Sequence, residues 1–213
     1  MRTYIGPIGF NPTSITRPIL SHGLDDGDAV ILVRPQADTD DRRATETMAD
    51  VDRTLGALEP DVTTTTVRVP HDDFEAATLA CHDLIREASG DRILVLGGGA
   101  RDVLVPLTVA GLAASDCIEL VLGYSDIDYA VREIALPTQT TTLTQSALAT
   151  LELVVEAGPI TLPELTASSE RSKSTITRHV NDLDEAGAVT TWREGSTKLA
   201  AATLGGRLRV VSG

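Results

Sequence analysis

The chain has 213 residues, 42% of them hydrophobic and 3% aromatic, with a formal net charge of −13. At roughly 100–200 residues per domain this is one or two domains with real cores, and no run approaches the ~20 apolar residues that span a membrane. The start, Met1-Arg2-Thr3-Tyr4-Ile5-Gly6, lacks the apolar stretch of a secretory signal, so a cytoplasmic protein with no membrane partner is expected.

The acidity is uneven. Residues 1–143 carry a net charge of −12 and residues 144–213 only −1. Abundant Asp and Thr beside two lysines fit an acidic surface from a high-salt cytoplasm, where self-repulsion is screened. Such a surface does not require a basic partner. Cys81 and Cys117 lie far apart in apolar runs and read as small buried hydrophobes, not as a disulfide or metal pair.

In chain order, residues 3–8 read as a strand, 14–22 as a helix, 29–34 as a strand and 40–58 as a helix. Met48, Val51, Leu55 and Leu58 give that helix one buried stripe. A strand over 62–69 follows, then a helix over 73–88 with Asp72 as its N-cap. The remainder of this half reads as strand 92–96, helix 102–114, strand 118–124 and a last strand at 131–136. Alternating strands and helices predict an α/β, Rossmann-like domain over residues 1–137, its sheet mainly parallel with helices on both faces.

Ligands of such sheets bind beyond the carboxyl ends of the strands. Two loops fall there. The first is Gly6-Pro7-Ile8-Gly9-Phe10-Asn11-Pro12-Thr13; the second is Gly97-Gly98-Gly99-Ala100-Arg101. The three glycines have two readings. They make a tight strand-to-helix turn, or they let a ligand approach the backbone at a helix N-terminus suited to phosphate, with Arg101 as a bidentate partner. The dinucleotide fingerprint GxGxxG is not met, because Asp102 stands at its last glycine. His22, His71, His82 and His179 lie in different elements without metal-ligand spacing. No catalytic set, metal site or cofactor is expected.

Residues 138–143 read as a Thr/Gln-rich linker into a second domain over 144–213. Its elements read as a helix at 143–155 ended by Gly158-Pro159, a short helix at 162–167 and a polar turn at 168–171. A third helix follows at 173–186 with Ser172 as N-cap and Gly187 as C-cap, then strands 189–193 and 197–201 about a glycine turn. That is the plan of a winged helix-turn-helix domain. Ile176, Val180 and Leu183 face its core, so Lys173, Ser174, Thr177, Arg178 and Asn181 face solvent, where a recognition helix meets the major groove of double-stranded DNA. Arg178 is the base-reading candidate and Lys173 a phosphate contact. Ser172 and Thr175 complete the helix start, and Arg193 and Lys198 place charge on the wing. A protein-binding winged helix is the alternative.

Residues 160–189, ITLPELTASSERSKSTITRHVNDLDEAGAV, resemble MarR- and ArsR-like winged helices. Residues 3–10 and 94–101 (TYIGPIGF and LVLGGGAR) resemble the motifs of CARF domains, the Rossmann-like sensors of CRISPR systems. The order of the two domains is similar to that of archaeal CRISPR-associated CARF-domain winged-helix transcriptional regulators. The resemblance implies a homodimer paired through the N-terminal domains. It also implies a two-fold pocket for a cyclic oligoadenylate, typically cyclic tetra-adenylate, as regulatory ligand. Carried over by position, the pocket is lined by Ile8, Gly9, Phe10, Asn11 and Thr13 and by Gly97, Gly98, Gly99 and Arg101. The expected function is ligand-responsive control of transcription. The alternatives are a ring nuclease, another nucleotide-dependent enzyme with an appended winged helix, or a regulator outside CRISPR.

Overall fold

The computed structural model describes residues 1–36, 42–137 and 143–211. The chain divides into two compact units, Met1–Ile134 and Ala135–Gly213. The expected linker lies, apart from Leu143, outside the described residues.

In the first unit β1 (Arg2–Pro7), α1 (Thr13–His22), β2 (Ala29–Pro35), α2 (Arg42–Gly56), β3 (Thr63–Val69), α3 (Phe74–Glu87), β4 (Asp91–Leu96), α4 (Arg101–Ala113), β5 (Leu120–Tyr124) and β6 (Val131–Glu133) follow one another. They build one sheet of order β3-β2-β1-β4-β5-β6. All neighbours are parallel except β5 and β6, which run antiparallel through the pairs Leu122–Glu133, Gly123–Arg132 and Tyr124–Val131. The expected final strand is therefore a hairpin edge of three residues.

The inner strands β1, β2, β4 and β5 are largely apolar because helices cover both faces there, whereas the edge strand β3 is threonine-rich and largely exposed. One face packs Tyr4, Val30, Leu32, Ile93, Val95 and Leu122 against Ile15 and Ile19 of α1 and Val51 and Leu55 of α2. Side chains alternate along a strand, which leaves Ile5, Val33 and Leu94 for the face covered by α3 and α4. Cys81 is buried there, and burial pushes its thiol up to about 11. Asp73, not Asp72, caps α3, its carboxylate accepting from the Ala76 amide at 3.0 Å. At the amino edge of the sheet Arg2 is fully engaged: its Nε donates to Asp28 Oδ2 at 3.0 Å and its Nη2 pairs with the same carboxylate at 2.8 Å.

The strand order reverses between β1 and β4, since β2 and β3 lie on one side and β5 and β6 on the other. The crevice at this switch point opens at the carboxyl ends of β1 and β4, where the two glycine loops emerge.

The second unit contains α5 (Gln145–Ala157), β7 (Ile160–Thr161), α6 (Leu162–Ala167), α7 (Lys173–Glu185), β8 (Val189–Glu194), β9 (Thr197–Ala202) and α8 (Leu204–Val211). Its sheet, β7-β9-β8, is antiparallel. Thr144 caps α5, and Thr161 with Glu164 forms a capping box on α6. Leu151, Val154, Leu165, Ile176, Val180 and Leu183 form the core.

His179 is 2% exposed and ties α7 to α5: Thr150 Oγ1 meets its Nδ1 at 2.8 Å and Ser146 Oγ its Nε2 at 3.2 Å. Burial holds the imidazole below its ordinary 6.5; Arg171 and Arg178 add to this and Asp182 opposes it. The unfolded chain thus takes up a proton near 6.5 that the folded one refuses. The neutral imidazole contributes stability above that pH, and this stability is lost as pH falls. Urea unfolding of the second unit is expected to shift to lower midpoints between pH 7.5 and 5. The shift should shrink in His179→Gln, and an equal pH slope in both proteins would refute the assignment.

Candidate functional site

A cavity of about 400 Å³ occupies the switch-point crevice. Ile8, Gly9, Phe10 and Asn11 line it from the first loop, and Gly97, Gly98, Gly99 and Ala100 from the second. The two loops touch: a Cβ on Gly9 would stand 3.1 Å from the Gly99 Cα. Of the positions expected from the sequence, Ile8, Gly9, Phe10, Asn11, Gly97, Gly98 and Gly99 are thus brought together around one cavity.

Thr13 and Arg101 do not line the cavity. Both begin helices and are exposed. The Thr13 amide donates to Asn11 Oδ1 at 3.0 Å, which turns the loop into α1.

The glycines serve the fold as well as the cavity. A side chain at Gly97 would collide with the Ser14 carbonyl and meet Tyr124 Cβ at 2.8 Å; one at Gly98 would reach Ser14 Oγ at 2.6 Å. Gly99 has φ of +87° and faces Pro7 Cβ at 2.6 Å. Both sequence readings of the triplet are therefore compatible with the geometry. No side chain caps α4, whose N-cap is Ala100. Its first amides and the positive end of its dipole adjoin the cavity, an arrangement that favours an anion.

The rest of the lining was not read from the sequence: Ser14, Arg34, Pro35, Arg43, Ala44 and Asp126. Arg34 is the penultimate residue of β2 and is 8% exposed. The Arg43 guanidinium lies 4.8 Å from the centroid of the half-exposed Phe10 ring. Arg34 carried a signal, a lone charge closing the apolar strand 29–33 at the ligand-binding edge. Arg43 carried none, because its position depends on how α2 lies on the sheet.

On the second unit, Lys173, Ser174, Thr177, Arg178 and Asn181 line a shallow groove along α7, together with Asp182 and Glu185. Ser172 caps α7 through the Thr175 amide at 3.3 Å, and its hydroxyl lies 2.9 Å from those of Ser174 and Thr175. Thr175 is half-buried and outside the groove. Lys198 Nζ donates to Asn181 Oδ1 at 2.9 Å, fastening β9 to the helix face, and Arg193 stands opposite Lys198 across the hairpin.

None of the curated proteins matches this chain in sequence. Among solved structures, Enterococcus italicus Csm6 bound to cyclic hexa-2'-fluoro-hexa-dAMP is similar with a TM-score of 0.50 and 13% identity, over 88% of this chain. Can2 from Sulfobacillus thermosulfidooxidans, in complex with cyclic tetra-adenylate, is similar with a TM-score of 0.44 and 10% identity, over 91% of this chain. Bordetella bronchiseptica BpsR, whose DNA binding is regulated by 6-hydroxynicotinic acid, is similar with a TM-score of 0.32 and 16% identity, over 34% of this chain. The matches cover 55%, 54% and 53% of those three chains, respectively. No helix among the described residues is long and apolar enough to cross a membrane. The sequence model of the Csa3 CRISPR-associated Rossmann-like domain matches residues 2–125, more than half of the chain, and the protein belongs to that family.

Proposed function

We propose that the first unit binds a cyclic oligoadenylate and that the second is a winged helix-turn-helix domain through which a dimer binds duplex DNA and regulates transcription. The observation that carries the reading is the cavity at the switch point, walled by two glycine loops and the uncapped start of α4. The family supports a CRISPR-associated role. Csm6, which shares the fold, supplies the ligand class.

The cavity size supports the dimer. At about 400 Å³ it lies near the lower end of the ~300–1,000 Å³ that small-molecule sites occupy. A cyclic oligoadenylate is several nucleotides large, so in this reading one protomer holds part of the ring and a second copy completes the site. The surface offered for pairing is α4, which has no charged residue after Asp102 and exposes Val105 and Val109 by 49% and 38%. A helix apolar on nearly every side is one that is covered.

The ligand acts by binding one arrangement of the paired recognition helices better than another. It is bound and not cleaved in this reading. Light scattering should give a dimer mass, and calorimetry with cyclic tetra-adenylate one ring per two chains, with no linear product after incubation. Gel shifts on the gene's own upstream DNA should respond to the ligand. No binding to that DNA with or without cyclic tetra- or hexa-adenylate would end the proposal; linear products would replace sensing with ring cleavage.

A further inference from the structure

The cavity contains a charge that the described residues leave without an anionic partner. Arg34 is more than nine-tenths buried, and among the described residues its guanidinium donates only to the Met48 thioether, Nη1 to Sδ at 3.5 Å. A thioether is a weak acceptor and a guanidinium offers five N–H donors. No carboxylate pairs with Arg34 among the described residues. Asp126, the one acidic residue lining the cavity among the described residues, forms no ion pair with it. Arginine does not shed its proton in proteins, so its buried charge persists and calls for an anion that the described residues do not supply.

Arg2 shows how the same sheet treats an arginine that serves the fold. It lies at the opposite edge, partly buried, with its guanidinium on Asp28 and Asp25. Arg34 instead lies one residue before the end of β2 at the carboxyl edge, where the Ile8 amide after β1 donates to the Val33 carbonyl at 3.1 Å. The next residue faces the cavity.

We propose that Arg34 is the phosphate anchor of this cavity, its guanidinium engaging a phosphodiester of the bound nucleotide opposite the glycine loop. The inference deepens the oligoadenylate reading and rests on it for the identity of the ligand, though not for its charge. Phe10, with its exposed ring, supplies an aromatic surface in the same cavity for a base.

The test uses the full chain and the variant Arg34→Met, which keeps the apolar stem and removes the charge, alongside Arg34→Lys. Binding is measured by calorimetry with cyclic tetra-adenylate, AMP, adenosine and inorganic phosphate at two salt concentrations. Arg34→Met is expected to weaken cyclic tetra-adenylate by at least about 10-fold, as loss of a charged hydrogen bond does, and to flatten the salt dependence. It should abolish the preference for AMP over adenosine. Arg34→Lys, with charge but no fork, should fall between the two. The melting temperature of Arg34→Met should equal or exceed that of the parent, because an unpaired buried charge opposes folding.

Tight binding by the parent with unchanged binding by Arg34→Met would overturn the anchor and leave the oligoadenylate reading standing. Binding of AMP or phosphate that needs Arg34, without binding of cyclic tetra-adenylate, would do the reverse. Binding of none of the four probes would remove both. A lower melting temperature in Arg34→Met would assign the guanidinium to the fold and overturn the proposal.

Discussion

Gly97→Ala is expected to lower the thermal transition of the first unit by about 10 °C or more and to abolish ligand binding with it. The added Cβ would collide with the carbonyl oxygen of Ser14 and stand 2.8 Å from Tyr124 Cβ. Neither obstacle can rotate away. Ser14 belongs to the first turn of α1, held by hydrogen bonds of Ser14, Ile15 and Thr16 amides to Asn11 and Pro12 carbonyls. Tyr124 is a buried strand residue of β5. Overpacking against side chains costs about 1–3 kcal/mol; a clash with fixed backbone belongs at or above the top of that range. For domains of this size each kcal/mol moves the midpoint by several degrees, roughly 2–8 °C. Gly56→Ala is the control, since a Cβ added there would meet nothing within 4 Å and the backbone φ is not left-handed. Calorimetry of the full chain should show the transition of the first unit displaced and that of the second retained. An unmoved first transition in Gly97→Ala would mean that the loop packs less tightly than the contacts require.

The same contacts explain what could be read without coordinates. Strand-helix alternation was legible because buried strands and one-sided helices leave different apolar periods. The glycine loops were legible because a run of three glycines is rare punctuation. The packing of those glycines was not, since Ser14 and Pro7 are more than 80 residues away in sequence. The direction of β6 was hidden for a local reason. Its hairpin turns through Ser125–Ala130, closed by the Ser125 amide on the Ala130 carbonyl at 3.0 Å, with Tyr129 and not glycine at positive φ. The usual turn signal is missing.

In the second unit β7 is two residues long and exists through its pairing with β9, so it has no period of its own. α8 was missed because Gly205-Gly206 reads as a breaker. Gly206 instead lets the helix lie against the Ala188 backbone, where a Cβ would collide with the carbonyl oxygen. In the cavity, the two loops announced themselves, Arg34 left only the trace of a lone charge near a strand end, and Arg43 left none. Arg34 reads as the polar end of a strand, and its lack of a carboxylate partner among the described residues is a fact of three dimensions.

Arg178→Ala is expected to weaken binding of the proposed operator DNA by about 5- to 150-fold and to relax specificity at one base pair, the cost of losing a bidentate base contact of about 1–3 kcal/mol. Ile176, Val180 and Leu183 are fully buried, so α7 cannot roll, and Lys173, Thr177, Arg178 and Asn181 must form its outward face. The groove is not uniformly basic, for Asp182 and Glu185 occupy its far end. Those carboxylates would repel phosphate and would confine close contact with the proposed DNA to the N-terminal half of the helix. Asn181 sits at the boundary, its carbonyl oxygen held by Lys198 at 2.9 Å. The amide is thereby left with its NH₂ outward and presents donors, not acceptors. Lys173→Ala should behave differently from Arg178→Ala, weakening all sequences alike and reducing the salt slope by about 1. Fluorescence anisotropy on the upstream duplex and a scrambled one separates the two. Equal losses on both duplexes for Arg178→Ala would make it a phosphate contact; no loss would remove α7 as the reading helix. With a net charge of −13 on the chain, bulk attraction cannot compensate for either residue, and this is why single substitutions on this face should have large effects.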